Sequence, residues 1–167
     1  MQRTLRTARA AAAIVIAPAI ALTGGIGAGV AAAQDGPTVV SFGQTLKRCD
    51  FSDIKNVGGT GYGRPTAQVR TQGGDVVADV QIATALPNTR YEVRLIQAPR
   101  SSAASCNPGD PGVAGAALFT DAVGAGALTL RGPIMSGATG AWVFITRPSP
   151  YSQVPEEFYA TDFIAKL

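Results

Sequence analysis

The chain has 167 residues, fourteen basic and eleven acidic, with no histidine and two cysteines. Without an imidazole it can build neither a Ser-His-Asp triad, nor a Cys-His dyad, nor the usual zinc sites. Arg3, Arg6 and Arg9 account for three of the basic residues. The remainder is therefore formally neutral, which gives no electrostatic reason to expect nucleic acid or an anionic membrane as partner.

Residues 1–33 decide where the protein goes. Met1 to Arg9 carries three arginines and no acid, Ala10 to Val30 carries no charge, and Ala31-Ala32-Ala33 supplies small residues ahead of Gln34. That order is the pattern of a helical secretory signal peptide. A retained anchor is the alternative, since Ala10 to Ala33 is about long enough to span a bilayer. Pro18 and Gly24, Gly25, Gly27 and Gly29 interrupt the stretch, and only Ala10 to Leu22 forms a proper apolar core. No cysteine near the cleavage region could take a lipid, and Arg3 and Arg6 are not adjacent as a twin-arginine signal requires. The predicted organisation is a signal peptide (1–33), a short lead (34–37) and a single domain (38–167). The exported part suits one hydrophobic core.

From there the apolar spacing has period two, the mark of half-buried strands. Val39 to Leu46 is predicted to open the sheet. Lys47 to Lys55 admits a short helix. Gly58-Gly59-Thr60-Gly61-Tyr62-Gly63 lacks the Gly-Lys-Ser/Thr of a phosphate loop and precedes a strand, so it reads as a mobile loop. Ala67, Val69 and Thr71 alternate with polar neighbours, as do Val76, Ala78, Val80 and Ile82. Gly73-Gly74 between the two runs predicts a tight hairpin. Leu86-Pro87-Asn88-Thr89 is a predicted turn. Tyr91, Val93 and Leu95 mark the next strand, and Ala98 to Gly112 a long Pro- and Gly-rich loop. The segments on either side of Asp121–Gly126 read as another hairpin. Trp142-Val143-Phe144-Ile145 is apolar on both faces and predicts a central strand, with Trp142 in the core. Phe158 to Leu167 reads as the last strand.

Cys49 and Cys106, 57 residues apart, lack a CxxC and a histidine neighbour. In an exported chain an even count reads as one disulfide. The sum is an all-β protein, an antiparallel immunoglobulin-like β-sandwich of about seven or eight strands. The order Cys49, Cys106, Trp142 differs from that of antibody domains, where the Trp lies between the two cysteines.

Tyr91-Glu92-Val93-Arg94-Leu95, the Cys-bearing loop, Phe119-Thr120-Asp121 with Gly124 and Gly126, and Gly140-Ala141-Trp142-Val143 together resemble a group of small exported β-sandwich proteins of mycobacteria and related actinobacteria. The resemblance spans about Val39 to Leu167. The group carries no agreed activity, so the resemblance implies export and fold and transfers no catalytic residue.

The chemistry left to a histidine-free chain is narrow. Asp50 with Asp53, or Glu156 with Glu157, could pair for glycoside hydrolysis. Asp50, Ser52 and Asp53, or Asp110 and Asp121, could supply some oxygens to calcium. Turn-forming and solvated roles explain these residues more simply, and no S-x-x-K pattern is present. No cofactor, metal or catalytic residue is expected. Tyr62, Arg64 and Tyr151 are the candidate binding residues, because aromatic side chains in loops stack on sugar rings or anchor partners. The expected function is non-enzymatic binding of an extracellular protein or envelope glycan. A carboxylate-dependent enzyme acting on glycans is the alternative. A structural, membrane-anchored envelope component is the third reading, tied to retention of residues 1–33. Oligomeric state is left open.

Overall fold

The computed structural model describes residues 36–167; the signal-peptide reading of residues 1–33 lies outside them. Twelve strands follow in chain order: β1 (Thr38–Val40), β2 (Phe42–Gly43), β3 (Thr45–Lys47), β4 (Asp53–Gly58), β5 (Arg64–Gln72), β6 (Asp75–Ala83), β7 (Arg90–Ala98), β8 (Val113–Phe119), β9 (Gly126–Pro133), β10 (Gly140–Arg147), β11 (Glu157–Thr161) and β12 (Ala165–Lys166). No helix occurs among the described residues. One sheet has the order β1-β5-β6-β9, the other β2-β11-β10-β7-β8 with β12 beside β10, and β3-β4 form a separate ribbon. Every pairing is antiparallel. The described residues are all-β, as the period-two spacing predicts. The strand count exceeds the expectation because four of the twelve are only two or three residues long.

Two apolar clusters explain the layering. The inner one packs Val40, Val69, Val76, Val80 and Ile82 of the first sheet against Tyr91, Val93, Leu95, Val143, Ile145 and Tyr159 of the second. Successive side chains on a strand point to opposite faces. Trp142, Phe144, Phe158 and Ile96 therefore emerge on the far face of the second sheet, where they form the outer cluster with Leu46 and Cys106. Phe51, Ile54 and Val57 of the β3-β4 ribbon cover them. Phe51 meets Trp142 edge-on at 5.3 Å between ring centroids. This cover is why β10 and β11 are apolar on both faces, and why Trp142 sits in the outer rather than the inner core.

Cys49 and Cys106 are disulfide-bonded with Cα atoms 5.5 Å apart. The bond ties the ribbon's turn to the 99–112 loop. It stands outside the two sheets, unlike the inter-sheet bond of antibody domains.

The Gly73-Gly74 hairpin is as predicted. Both residues have positive φ (60° and 86°) and join β5 to β6 with Gln72 opposite Asp75. Asn88 supplies positive φ in the 86–89 turn. Four local expectations are corrected. Val39 to Leu46 is not one strand: β1 pairs with β5, β2 pairs with β11, and β3 joins the ribbon. The chain changes sheet at Ser41, whose backbone carbonyl accepts from the Asp162 amide. Lys47 to Lys55 is not helical, because Lys47 Nζ bonds Asp53 at 2.6 Å across the ribbon. Phe51 there takes a positive φ that helps close the turn. β8 and β9 are not a hairpin pair, since β8 pairs with β7 and β9 with β6. The Asp121 turn carries the chain from one sheet to the other. Finally, Phe158 to Leu167 is broken between Thr161 and Ala165: from Ala160 to Ala165 the partner strand advances only from Phe144 to Ala141.

The first sheet's outer face is polar. Arg70 and Arg131 flank Val77 in register and cover it with their stems, so Val77 is fully buried on an outward face. Arg70 pairs with Asp79, and Arg131 with Asp75 at 3.0 Å.

Candidate functional site

Four connections gather at one end of the two sheets: 59–63, 84–89, 120–125 and 148–156. Hydrogen bonds lace them together. The Thr60 hydroxyl donates to the Glu156 carbonyl, Thr84 Oγ1 to the Tyr62 carbonyl at 2.9 Å, and the Ala85 amide to the Gly124 carbonyl at 3.1 Å.

Beneath these loops lies a buried polar cluster. Glu157 opens β11 and is 4% exposed. Its Oε2 accepts from Tyr91 Oη at 2.9 Å and from Tyr159 Oη at 3.0 Å, and its Oε1 accepts from Arg147 Nε at 2.9 Å. Arg147 also pairs with Glu156. The phenols accept in turn, Tyr159 from the Gly63 amide at 2.9 Å and Tyr91 from the Leu86 amide at 3.3 Å. Burial, then the bond to Glu157, pushes the Tyr91 hydroxyl up to about 12. Burial also raises Tyr159, beside the same carboxylate, well above the ordinary tyrosine range. Burial disfavours the Arg147 cation, but its bonds to Glu157 and Glu156 outweigh this and hold its pKa above the ordinary value. A buried carboxylate with this many donors is a satisfied structural group.

The glycine-rich segment is a strap over this cluster. A Cβ on Gly61 would overlap Tyr159 Oη, standing 2.6 Å from Cζ and 2.8 Å from Glu157 Oε2. Only glycine lets the backbone pass so close. The Gln44 side-chain amide donates to the Gly61 carbonyl and pins the strap from the other side. The segment is thus tethered, where the sequence alone suggested mobility.

The acidic residues considered for catalysis or calcium are each engaged elsewhere. Glu156 and Glu157 share Arg147 and do not face one another across a cleft. Asp50 Oδ1 accepts from the Ser52 amide and hydroxyl, which lowers its pKa, and Asp53 pairs with Lys47. Asp110 caps its own loop through Ser105 and the Asn107 amide, which holds its carboxyl low. Asp121 Oδ1 accepts from the amides of Val123 and Ala125 at 2.9 and 2.8 Å. No group of three or more potential metal ligands occurs among the described residues.

Of the sequence-predicted binding residues, Tyr62 is 78% exposed on the strap and Tyr151 93% exposed in the 148–156 loop. Val123, Leu86 and Val154 add exposed apolar tips on the same four connections, with Phe119 at the end of β8 beside them. Arg64 opens β5 beside Tyr62 and donates from Nη1 to the Tyr62 and Gly63 carbonyls at 3.1 and 3.2 Å. It lines a shallow depression on the first sheet's outer face. Sequence reasoning missed the Tyr91-Glu157-Tyr159-Arg147 cluster. The one available signal was a glutamate two places before an inward-facing tyrosine, in a strand apolar on both faces. Comparisons of the chain with protein-family models, curated proteins and solved structures found no match.

Proposed function

We propose that the chain is an exported, non-enzymatic binding domain that engages a protein or an envelope glycan through the loops at this end of the sandwich. The observation that carries the reading is the contrast between tyrosines. Tyr91 and Tyr159 are buried and fully engaged, while Tyr62 and Tyr151 stand out from the same end with their rings in solvent. Exposed aromatic rings on a rigid base are suited to stacking and anchoring. The disulfide suits an oxidising compartment, in keeping with cleavage near Gln34 and with the resemblance to exported actinobacterial sandwiches. The immunoglobulin-like assignment belongs to the same proposal, supported by a first strand that changes sheets and by connections clustered at one end. A carboxylate enzyme fits less well, because the Glu157 carboxylate is buried under the Gly61 strap.

The test is co-sedimentation of the protein with insoluble envelope material, comparing wild type with a Tyr62→Ala, Tyr151→Ala double variant. Both side chains are exposed, so stability should move by no more than ~0.5 kcal/mol per site. Loss of sedimentation with an unchanged melting temperature supports the reading; equal sedimentation removes these loops from it.

A further inference from the structure

Outward residues of the first sheet fall into rows set by register: Arg70-Val77-Arg131, Gln68-Asp79-Thr129, then Thr66-Gln81-Ala127, and Arg64 beside Ala83 at the loop end. The first two rows are covered by the stems of Arg70 and Arg131 and by the pairs that Asp79 makes with Arg70 and with Thr129. Toward the loops the outward side chains shrink to Ala83 on β6 and Ala127 on β9, and a depression of about 460 Å³ opens, walled by Arg64, Gln81 and Asp121. The depression is shallow and open, so a ring lying in it would keep one face in solvent.

The charges there differ from those on the rest of the face. Arg70 and Arg131 are each paired with an aspartate. Arg64 has no carboxylate within ion-pair distance among the described residues. Its bonds to two backbone carbonyls hold Nη1, leaving the Nε–Nη2 edge for a bidentate acceptor. Asp121 is fixed through Oδ1 by two turn amides, which leaves Oδ2. Arg64 begins β5 and Asp121 leads into β9, with β6 between them. At about 4.8 Å per strand, Arg64 and Ala125, whose carbonyl accepts from the Asp121 amide, stand roughly 10 Å apart at the backbone. A single cation facing an aspartate disfavours a multiply charged phosphate. A planar monoanion matches the guanidinium fork, and hydroxyl donors match Asp121 and the Gln81 amide.

We propose that this depression is a subsite for an acidic sugar residue, its carboxylate on Arg64, its hydroxyls on Gln81 and Asp121, and its ring over Ala83 and Ala127. The proposal rests on the glycan branch of the reading above. Tyr62 on the adjoining strap is positioned to meet the next sugar of the chain.

Isothermal titration of the protein with trigalacturonate, and with neutral galactotriose as control, tests it. The expected result is binding of the acidic trimer about tenfold or more tighter than the neutral one, weakening as salt is raised. Arg64→Gln should abolish that preference, and Arg64→Lys should recover only part of it. Gln81→Ala, which leaves the strap untouched, should weaken binding of the acidic trimer several-fold. Equal affinity for the two trimers, an Arg64→Gln variant that binds like wild type, or no binding of either trimer overturns the subsite. If neither trimer binds but sedimentation with envelope material still depends on Tyr62 and Tyr151, the binding-domain reading survives. If that dependence is also missing, both fall.

Discussion

Replacing Gly61 by alanine isolates the strap's contribution. Gly61 has an ordinary φ, so the cost is steric: the new methyl overlaps Tyr159 Oη and crowds Cζ at 2.6 Å. Tyr159 is packed in the inner cluster and cannot retreat, so the strap must lift. Lifting breaks the bonds from the Gly63 amide to Tyr159, from Gln44 to the Gly61 carbonyl and from Thr60 to the Glu156 carbonyl. At ~1 kcal/mol net for each bond, the loss is about 3 kcal/mol. Gly58→Ala is the control, because nothing lies within 4 Å of its Cβ position; it should shift stability by ~0.5 kcal/mol at most. Urea unfolding followed by Trp142 fluorescence measures both. Adding Tyr159→Phe to Gly61→Ala should cost less than the sum of the single changes, since the overlapping oxygen is gone. A Gly61→Ala variant within ~1 kcal/mol of Gly58→Ala would show that the strap yields freely and that the steric reasoning is wrong.

Arg147→Met should destabilise by about 1.5–3 kcal/mol, because it removes the charged donor of a buried carboxylate that keeps its two phenol donors; Glu157→Gln added to it should recover part of the loss, read by the same unfolding assay. The tyrosines set an alkaline limit. The folded-state pKa of Tyr91 lies above its ordinary value of 10.0, at about 12. Its contribution is therefore complete below pH 10 and is lost as pH rises toward 12, by about 1.4 kcal/mol per pH unit. Unfolding curves at pH 9, 10 and 11 should show the decline, and Tyr91→Phe should lessen it while leaving the share that comes from the likewise raised Tyr159. Replacing Cys49 and Cys106 with serine opens a loop of 57 residues, and should cost about 4 kcal/mol on the chain-entropy account. Intact mass of the native protein, with and without reduction, should give a species starting near Gln34 and lighter by about two hydrogens before reduction.

The parts of the fold legible in the sequence are those with local causes. Gly73-Gly74 dictates its own turn, and Trp142 to Ile145 declares a strand with no wet face. The errors fall where local chemistry is shared by different tertiary outcomes. Asp121 caps its turn the same way whether the flanking strands pair or part to separate sheets, and only the cross-strand partners decide. Alternation across Val39 to Leu46 likewise carries no mark of the change of sheet at Ser41. Tyr62, Arg64 and Tyr151 were visible as loop residues. That Gln81 and Asp121 lie beside Arg64 was not legible, because a sheet's outer face is assembled from distant segments, and Asp121 was read only as a turn residue or a calcium oxygen. The Glu157 cluster joins Tyr91 to a residue 66 positions away, beyond the reach of any spacing rule.

The cover of the outer cluster has a consequence for the order in which the chain can fold. Leu46, Phe51, Ile54 and Val57 are made long before Trp142, Phe144 and Phe158, the surfaces they need. A chain growing from its N-terminal side therefore carries this apolar ribbon unmatched until β10 and β11 exist. Cys49 meets the same delay, since Cys106 is held in place by a loop that packs on the second sheet. Vectorial folding is thus deferred to the last strands, and a chain stopped before Gly140 would present two sticky half-surfaces in place of one closed layer.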